Sequence, residues 1–167
     1  MAKSLLTRLF LGAFNVGLAA NAALTRSRAK WIEQRLFTPA FVRMTQLVRG
    51  RRSVEPNAAA LGEEWERLLA SKRTAHVTSV EPATATTPET AFGEISVHCP
   101  LRGTGDVHAC HRLMAYDRGL VEAAGGQFVV LESQAQPGRT TCRIAIRRAG
   151  ESVADLTPAH EKRTVTE

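Results

Sequence analysis

Apolar positions change period several times along the chain. From Leu9 they run almost unbroken through Phe10, Leu11, Ala13, Phe14, Val16 and Leu18 into Ala-rich sequence ending at Leu24. Trp31, Ile32, Leu36, Phe41, Met44, Leu47 and Val48 then recur at near-helical intervals, and Pro39 is expected to break that stretch into two helices. Residues 58–72 repeat the helical pattern with Leu61, Trp65, Leu68 and Leu69 on one stripe. Beyond them the period falls to two. Strands are predicted over 75–81 and over 94–99, where Ile95, Val97 and Cys99 share a face. A single helix over 107–124 follows, with Asp106 as N-cap and Gly125-Gly126 as its stop. The strands 127–135 and 140–148 form a hairpin around Gln136-Pro137-Gly138-Arg139, since Pro fixes one φ and Gly admits a positive one. These elements make an α+β fold: basic N-terminal helices, then a small antiparallel sheet with one packed helix.

This pattern divides the chain into a helical segment (1–57), an α+β domain (58–150) and a polar tail (151–167) expected to fray. In the last strand Cys142, Ile144 and Ile146 face inward while Arg143, Arg147 and Arg148 stay solvated. In the strand before it, the face of Val129, Leu131, Ser133 and Ala135 is the preferred inward one, which leaves Glu132 and Gln134 solvated.

Charge sharpens this division. The chain carries a net +6 over 167 residues, but residues 1–52 hold ten Lys/Arg against one acid, Glu33, a net +9, while the rest is net −3. With 5% aromatic residues and no recognition-helix or zinc-finger pattern, nucleic acid is not the expected partner. Basic amphipathic helices bearing Trp and Phe suit anionic bilayers, at about 1 kcal/mol per Lys or Arg near the surface. Residues 1–52 are therefore expected to make peripheral membrane contact. Two readings compete: ordinary helices packed on the body, and an export signal cleaved near Ala22 after the Ala20–Ala22 motif. Three cysteines, an odd number, fit a reducing compartment better than a disulfide scaffold, so the expected location is the cytoplasm, at the inner face of the membrane.

Candidate chemistry gathers in the α+β domain. Cys99, Cys110 and Cys142 all fall on predicted inward faces and are positioned to converge, although a free Cys is also an ordinary core hydrophobe. Three of the five histidines lie between His98 and His111, but neighbours on a strand or a helix turn point apart, and no CxxC or HExxH pattern is present. No metal and no cofactor are assigned. Asp117 falls two turns after Cys110 on the helix stripe, where an acid needs a partner or a task. Tyr116 adds a hydroxyl beside it.

Cys99-Pro100-Leu101, then Cys110 with Tyr116-Asp117, then Gly138 and Cys142-Arg143-Ile144-Ala145-Ile146, form a layout that resembles the L-2-amino-thiazoline-4-carboxylic acid hydrolase-like family. It is similar at greater distance to the 4-vinyl reductase-type small-molecule-binding domain, whose additional hairpin cysteine is missing here, with Ser133 or Ala135 near its place. The likeness covers about residues 60–148, and its last strand reads Cys-Arg-Ile where the family has Cys-Asp-Phe or Cys-Glu-Phe. The resemblance implies a hydrolase acting on a C–N bond of a small cyclic or amide substrate. A cysteine among Cys110, Cys142 and Cys99 would be its nucleophile, and Asp117 its orienting acid. The alternative is a non-catalytic small-molecule-binding or sensor domain docked to a membrane or partner.

Overall fold

The computed structural model describes residues 17, 19–27, 33–50, 57–69 and 74–162. Residues 1–16, 28–32 and 51–56, with much of the basic N-terminal pattern, lie outside them. Five helices are labelled here: α1 (19–26), α2 (Thr38–Arg49), α3 (Ala58–Leu68), α4 (Val107–Leu113) and α5 (Ala115–Ala123). The strands are β1 (Ala75–Glu81), β2 (Thr90–Ile95), β3 (Gly126–Glu132) and β4 (Cys142–Arg148), ordered β1-β2-β4-β3 and antiparallel throughout. The fold is α+β, as the periodicity predicts.

Two hairpins meet along the β2–β4 pair, in register from Ala91↔Ile146 to Ile95↔Cys142. One sheet face carries Ala91, Ile95, Phe128, Val130, Cys142, Ile144 and Ile146, all buried under the helices. Asn57 caps α3 by accepting the Ala60 N–H at 2.9 Å, and Leu61 and Trp65 of that helix press on the sheet. Trp65 fits because position 93 lacks a side chain. A Cβ there would lie 2.9 Å from the His76 carbonyl oxygen and 3.2 Å from the indole.

Each sheet edge is met by a group that is not a strand. On β1 the Val77 N–H donates to the Glu66 carboxylate, and on β3 the Val130 carbonyl accepts the Ala159 N–H at 2.7 Å. The segment expected to fray is thus packed through residue 162, with Ala159 in the core. Its anchors are isolated residues without a period, so the pattern of the sequence did not reveal them.

Other departures have local causes. Pro39 lies in the first turn of α2, preceded by a π-turn over Glu33–Phe37, and so starts the helix where a break was expected. The predicted helix over 107–124 is two helices, parted at Met114 (φ −77°, ψ 6°), where the Arg118 guanidinium takes the His111 carbonyl at 2.6 Å. Strand β2 ends at Ile95, so Cys99 lies beyond it; β3 ends at Glu132, so Ser133 to Ala135 belong to the connection. The predicted turn is present inside that connection: Arg139 N–H reaches the Gln136 carbonyl at 3.3 Å and Gly138 has φ +74°.

The inward face of β3 is that of Phe128 and Val130, the reverse of the preferred assignment, because those residues oppose Ile146 and Ile144. Arg147 is buried rather than solvated, since the C-terminal segment covers the other face of β4. In the helical layer Val42 packs on α5 at Gly119, and Thr45 shares a 2.8 Å hydrogen bond with the Tyr116 hydroxyl. Ala22 and Thr25 of α1 are buried as well, and the Thr25 carbonyl accepts Arg112 Nε at 2.7 Å, so a chain cleaved after Ala22 would lose part of this packing.

Gly93→Ala is expected to lower stability by about 1–3 kcal/mol, because the new methyl group has backbone on one side and Trp65 on the other. Urea unfolding of the two proteins measures it, and an unchanged midpoint would show that Trp65 can shift.

Candidate functional site

The three cysteines lie in one core cluster, Cys99 by way of a connection and not of a strand face. All are free and buried within one core cluster, Cys99 from the connection after β2, Cys110 from α4 and Cys142 from the start of β4. The Cys142 thiol hydrogen-bonds to Cys110, and the Ser133 hydroxyl is a second donor to the same sulfur. Ser133 Oγ itself accepts the Ala135 N–H at 3.0 Å, leaving its proton for Cys110. These two donors, with the Arg118 charge, pull the Cys110 thiol below its ordinary value against the opposing effect of burial. Cys142 moves upward, first because its proton is held by Cys110 and then by burial. Burial pushes the Cys99 thiol up also, while the Leu101 N–H on its sulfur at 3.4 Å acts in the other direction.

Gln134 organises this region. Its side chain is fully buried, and its Oε1 accepts the Cys99 N–H at 3.3 Å together with Arg102 Nε and Nη2 at 2.9 and 2.7 Å. Its Nε2 donates to the Ile95 and Val97 carbonyls at 3.2 and 2.9 Å. Its backbone N–H reaches Cys142 Sγ at 3.3 Å. The loop 101–106 closes on the same connection, with Gly103 and Gly105 donating to the Gln134 and Ala135 carbonyls at 2.8 Å. Both glycines have positive φ, which lets this short loop turn back onto the connection. The result is a buried site: Cys110 and Cys142 are 2% and 3% exposed.

Asp117 does not join the thiols. It stands on α5, half-buried, and accepts the Trp65 indole N–H at 3.0 Å. Burial pushes its carboxyl up to about 6, while the indole hydrogen bond favours the charged form. Neighbouring Tyr116 turns toward α2 and its phenol is raised by burial. Glu132 pairs with Arg139 at 2.8 Å and Arg143 at 3.8 Å. The histidines sort differently from the cysteines: the His111 and His160 rings lie 3.8 Å apart, with His108 6.0 Å from His160. Burial, then the Arg118 charge and the neighbouring imidazoles, bring His111 down to about 4. Among the described residues no group of three or more His, Cys, Asp or Glu side chains is arranged to hold a metal ion.

Sequence reasoning found the cysteines and singled out the polar Glu132-Ser133-Gln134 run, but it placed Gln134 in solvent. The signal that would have corrected this is the adjacency of that run to Ala135 and a Pro-Gly turn, which marks a connection folding over an end of the core rather than a continuing strand. Compared with protein-family models, with curated proteins and with solved structures, the chain matches none. The family resemblance therefore rests on the residues quoted for it.

The shifts of His111 and Asp117 oppose each other with pH. Between about 6.5 and 4 the unfolded chain binds more protons at His111 than the folded one, so stability falls as pH falls. At Asp117 the folded chain binds more protons between about 6 and 3.8, so stability rises as pH falls. Asp117→Asn keeps an acceptor for Trp65 and removes the second contribution. Its melting temperature is expected to drop more steeply than that of the unsubstituted chain as pH goes from 6.5 to 4, and parallel profiles would refute the opposed pair.

Proposed function

We propose that this chain is a non-catalytic binding domain docked on an anionic membrane surface through α2. The outward side of that helix and of the turn before it carries the reading. Leu36, Phe37, Phe41, Met44, Leu47 and Val48 are six of the seven large apolar side chains that stand exposed among the described residues, with Leu47 at 85%. Only Val42 of α2 is buried. The helix is held by polar contacts on its inner side: Thr45 to Tyr116, and Arg49 Nη1 to the Arg67 and Leu69 carbonyls at 2.9 Å. Its amphipathicity is thus inverted relative to a helix that stabilises a core. A solvent-facing apolar ridge marks an interaction surface.

Charge selects the occupant. Arg35 and Arg43 are exposed beside the ridge, and residues 1–52 carry a net +9, which matches anionic lipid. A second copy of the chain would set like charges against each other. Among the described residues no helix is long and apolar enough to cross a membrane, and this reading needs none.

The hydrolase reading has one observation in its favour, the lowered thiol of Cys110 between two donors. A nucleophile must also meet its substrate, and Cys110 is buried in the core, 2% exposed. Asp117, the acid assigned to orient it, bonds to Trp65.

Flotation with vesicles of mixed phosphatidylserine and phosphatidylcholine is the direct test. The chain should float, less so in high salt, and Phe41→Ser/Met44→Ser/Leu47→Ser should reduce the bound fraction at least ~tenfold, since each side chain contributes about 1.5–3 kcal/mol on burial. Flotation unaffected by that triple change would overturn the proposal, as would a dimer in solution that it dissociates. In the same preparation iodoacetamide should leave all three thiols unmodified until denaturant is added. Rapid alkylation of Cys110 in the folded chain, with loss of a C–N hydrolase activity in Cys110→Ser, would favour the enzyme instead.

A further inference from the structure

On the sheet face away from the thiols, a cavity of about 260 Å³ opens between the β1–β2 loop and the C-terminal segment. Arg147 of β4 forms part of its lining, with its residue only 2% exposed. Its Nε–H donates to Thr90 Oγ1 at 2.7 Å. Nη1 donates to the Ser152 carbonyl and to Asp155 Oδ1, and Nη2 to Asp155 Oδ2, each at 2.6 Å. A guanidinium has five N–H donors. Four are used here, and the second N–H of Nη2 has no acceptor among the described residues. A buried donor on a residue that lines a cavity calls for an oxygen beside it.

The surrounding charges restrict which oxygen. Asp155 and Glu81 both line the cavity, so two carboxylates stand against one guanidinium. An anionic ligand enters a net negative site and would have to displace Asp155 from a bidentate pair. A simple ammonium suits the carboxylates but brings no acceptor to Nη2. A neutral group with an acceptor and a donor side by side satisfies both. From this geometry we propose that the cavity binds a small neutral carboxamide, its oxygen on the free Arg147 N–H and its N–H toward Glu81, with an apolar remainder against Phe92 and Leu156. The volume lies just below the roughly 300 Å³ at which drug-sized pockets begin, so the ligand is a compact ring or short chain.

Three probes sharing one ring separate the chemistries: benzamide, benzoate and benzylammonium, titrated into the full chain without lipid. The readouts are the Phe92 backbone amide and the Arg147 Nε–H in nuclear magnetic resonance spectra. Benzamide should shift both saturably, and benzoate should bind at least ~tenfold more weakly, by like-charge repulsion. Glu81 is exposed, so Glu81→Gln should fold normally; it should weaken benzamide and narrow its advantage over benzoate. Equal binding of benzoate and benzamide, tightest binding of benzylammonium, an unchanged ratio in Glu81→Gln, or no shift with any probe would each overturn the proposal. Because no vesicle is present, none of these outcomes bears on docking through α2.

Discussion

The buried carboxamide of Gln134 is the constraint on which the rest of the domain depends. It joins three segments that neither strand pairing nor helix packing would bring together: the end of β2, the Cys99 to Arg102 turn and the connection between β3 and β4. Each partner is a backbone or charged group that would cost about 1–3 kcal/mol if left buried without a bond. The network is therefore satisfied as a whole, and the removal of one amide would orphan several groups together. The position of the thiols follows from it. With Cys99 N–H and Cys142 Sγ both fixed to Gln134, α4 has one place to deliver Cys110, and the 101–106 loop closes on the Gln134 and Ala135 carbonyls.

The same logic of polar closure recurs at the edges. A four-stranded sheet has two open sides, and here a side chain on one helix and the backbone of the C-terminal segment each bond to one of them. That segment is held in turn by the Arg147–Asp155 pair, in which Asp155 holds the guanidinium charged and Arg147 keeps the carboxyl below its ordinary value. The outer face of β4 is thus covered without a second layer of helices, and the cover leaves a cavity because it is a thin strap and not a packed element.

Regular elements were legible in the sequence, and the reasons are physical. Ile95, Ile144 and Ile146 alternate because half-buried strands have period two, and Leu61, Trp65 and Leu68 repeat because a helix resting on a sheet buries one stripe. The inward positions of Cys110 and Cys142 followed from their faces, whereas Cys99 joins them from the connection beyond β2. What periodicity cannot carry is a contact made by one residue from a turn. Gln134, Asp155 and Ala159 each fix a segment through a single side chain or N–H, and no neighbour at i+2 or i+4 repeats the signal. Arg147 was misplaced for a related reason: an alternating strand assigns its odd face to solvent unless something distant in sequence covers it. The helix over 107–124 was divided by a side-chain bond from Arg118, again outside any propensity argument.

Where the usual distribution of polarity is reversed, the reversal has a direction. Polar and nucleophilic groups go inward at the Gln134 network and are buried, which stabilises a unique packing. Apolar groups go outward on α2, where enclosure is missing and where the inner side of the helix already has enough polar contacts to hold it in place. A helix fixed by Thr45 and Arg49 leaves half or more of Phe41, Met44 and Leu47 uncovered by the described residues. Local rules that are broken without benefit to the fold are where function is to be sought. By that criterion the thiols, each bonded and buried, are accounted for by structure, and the exposed ridge is not.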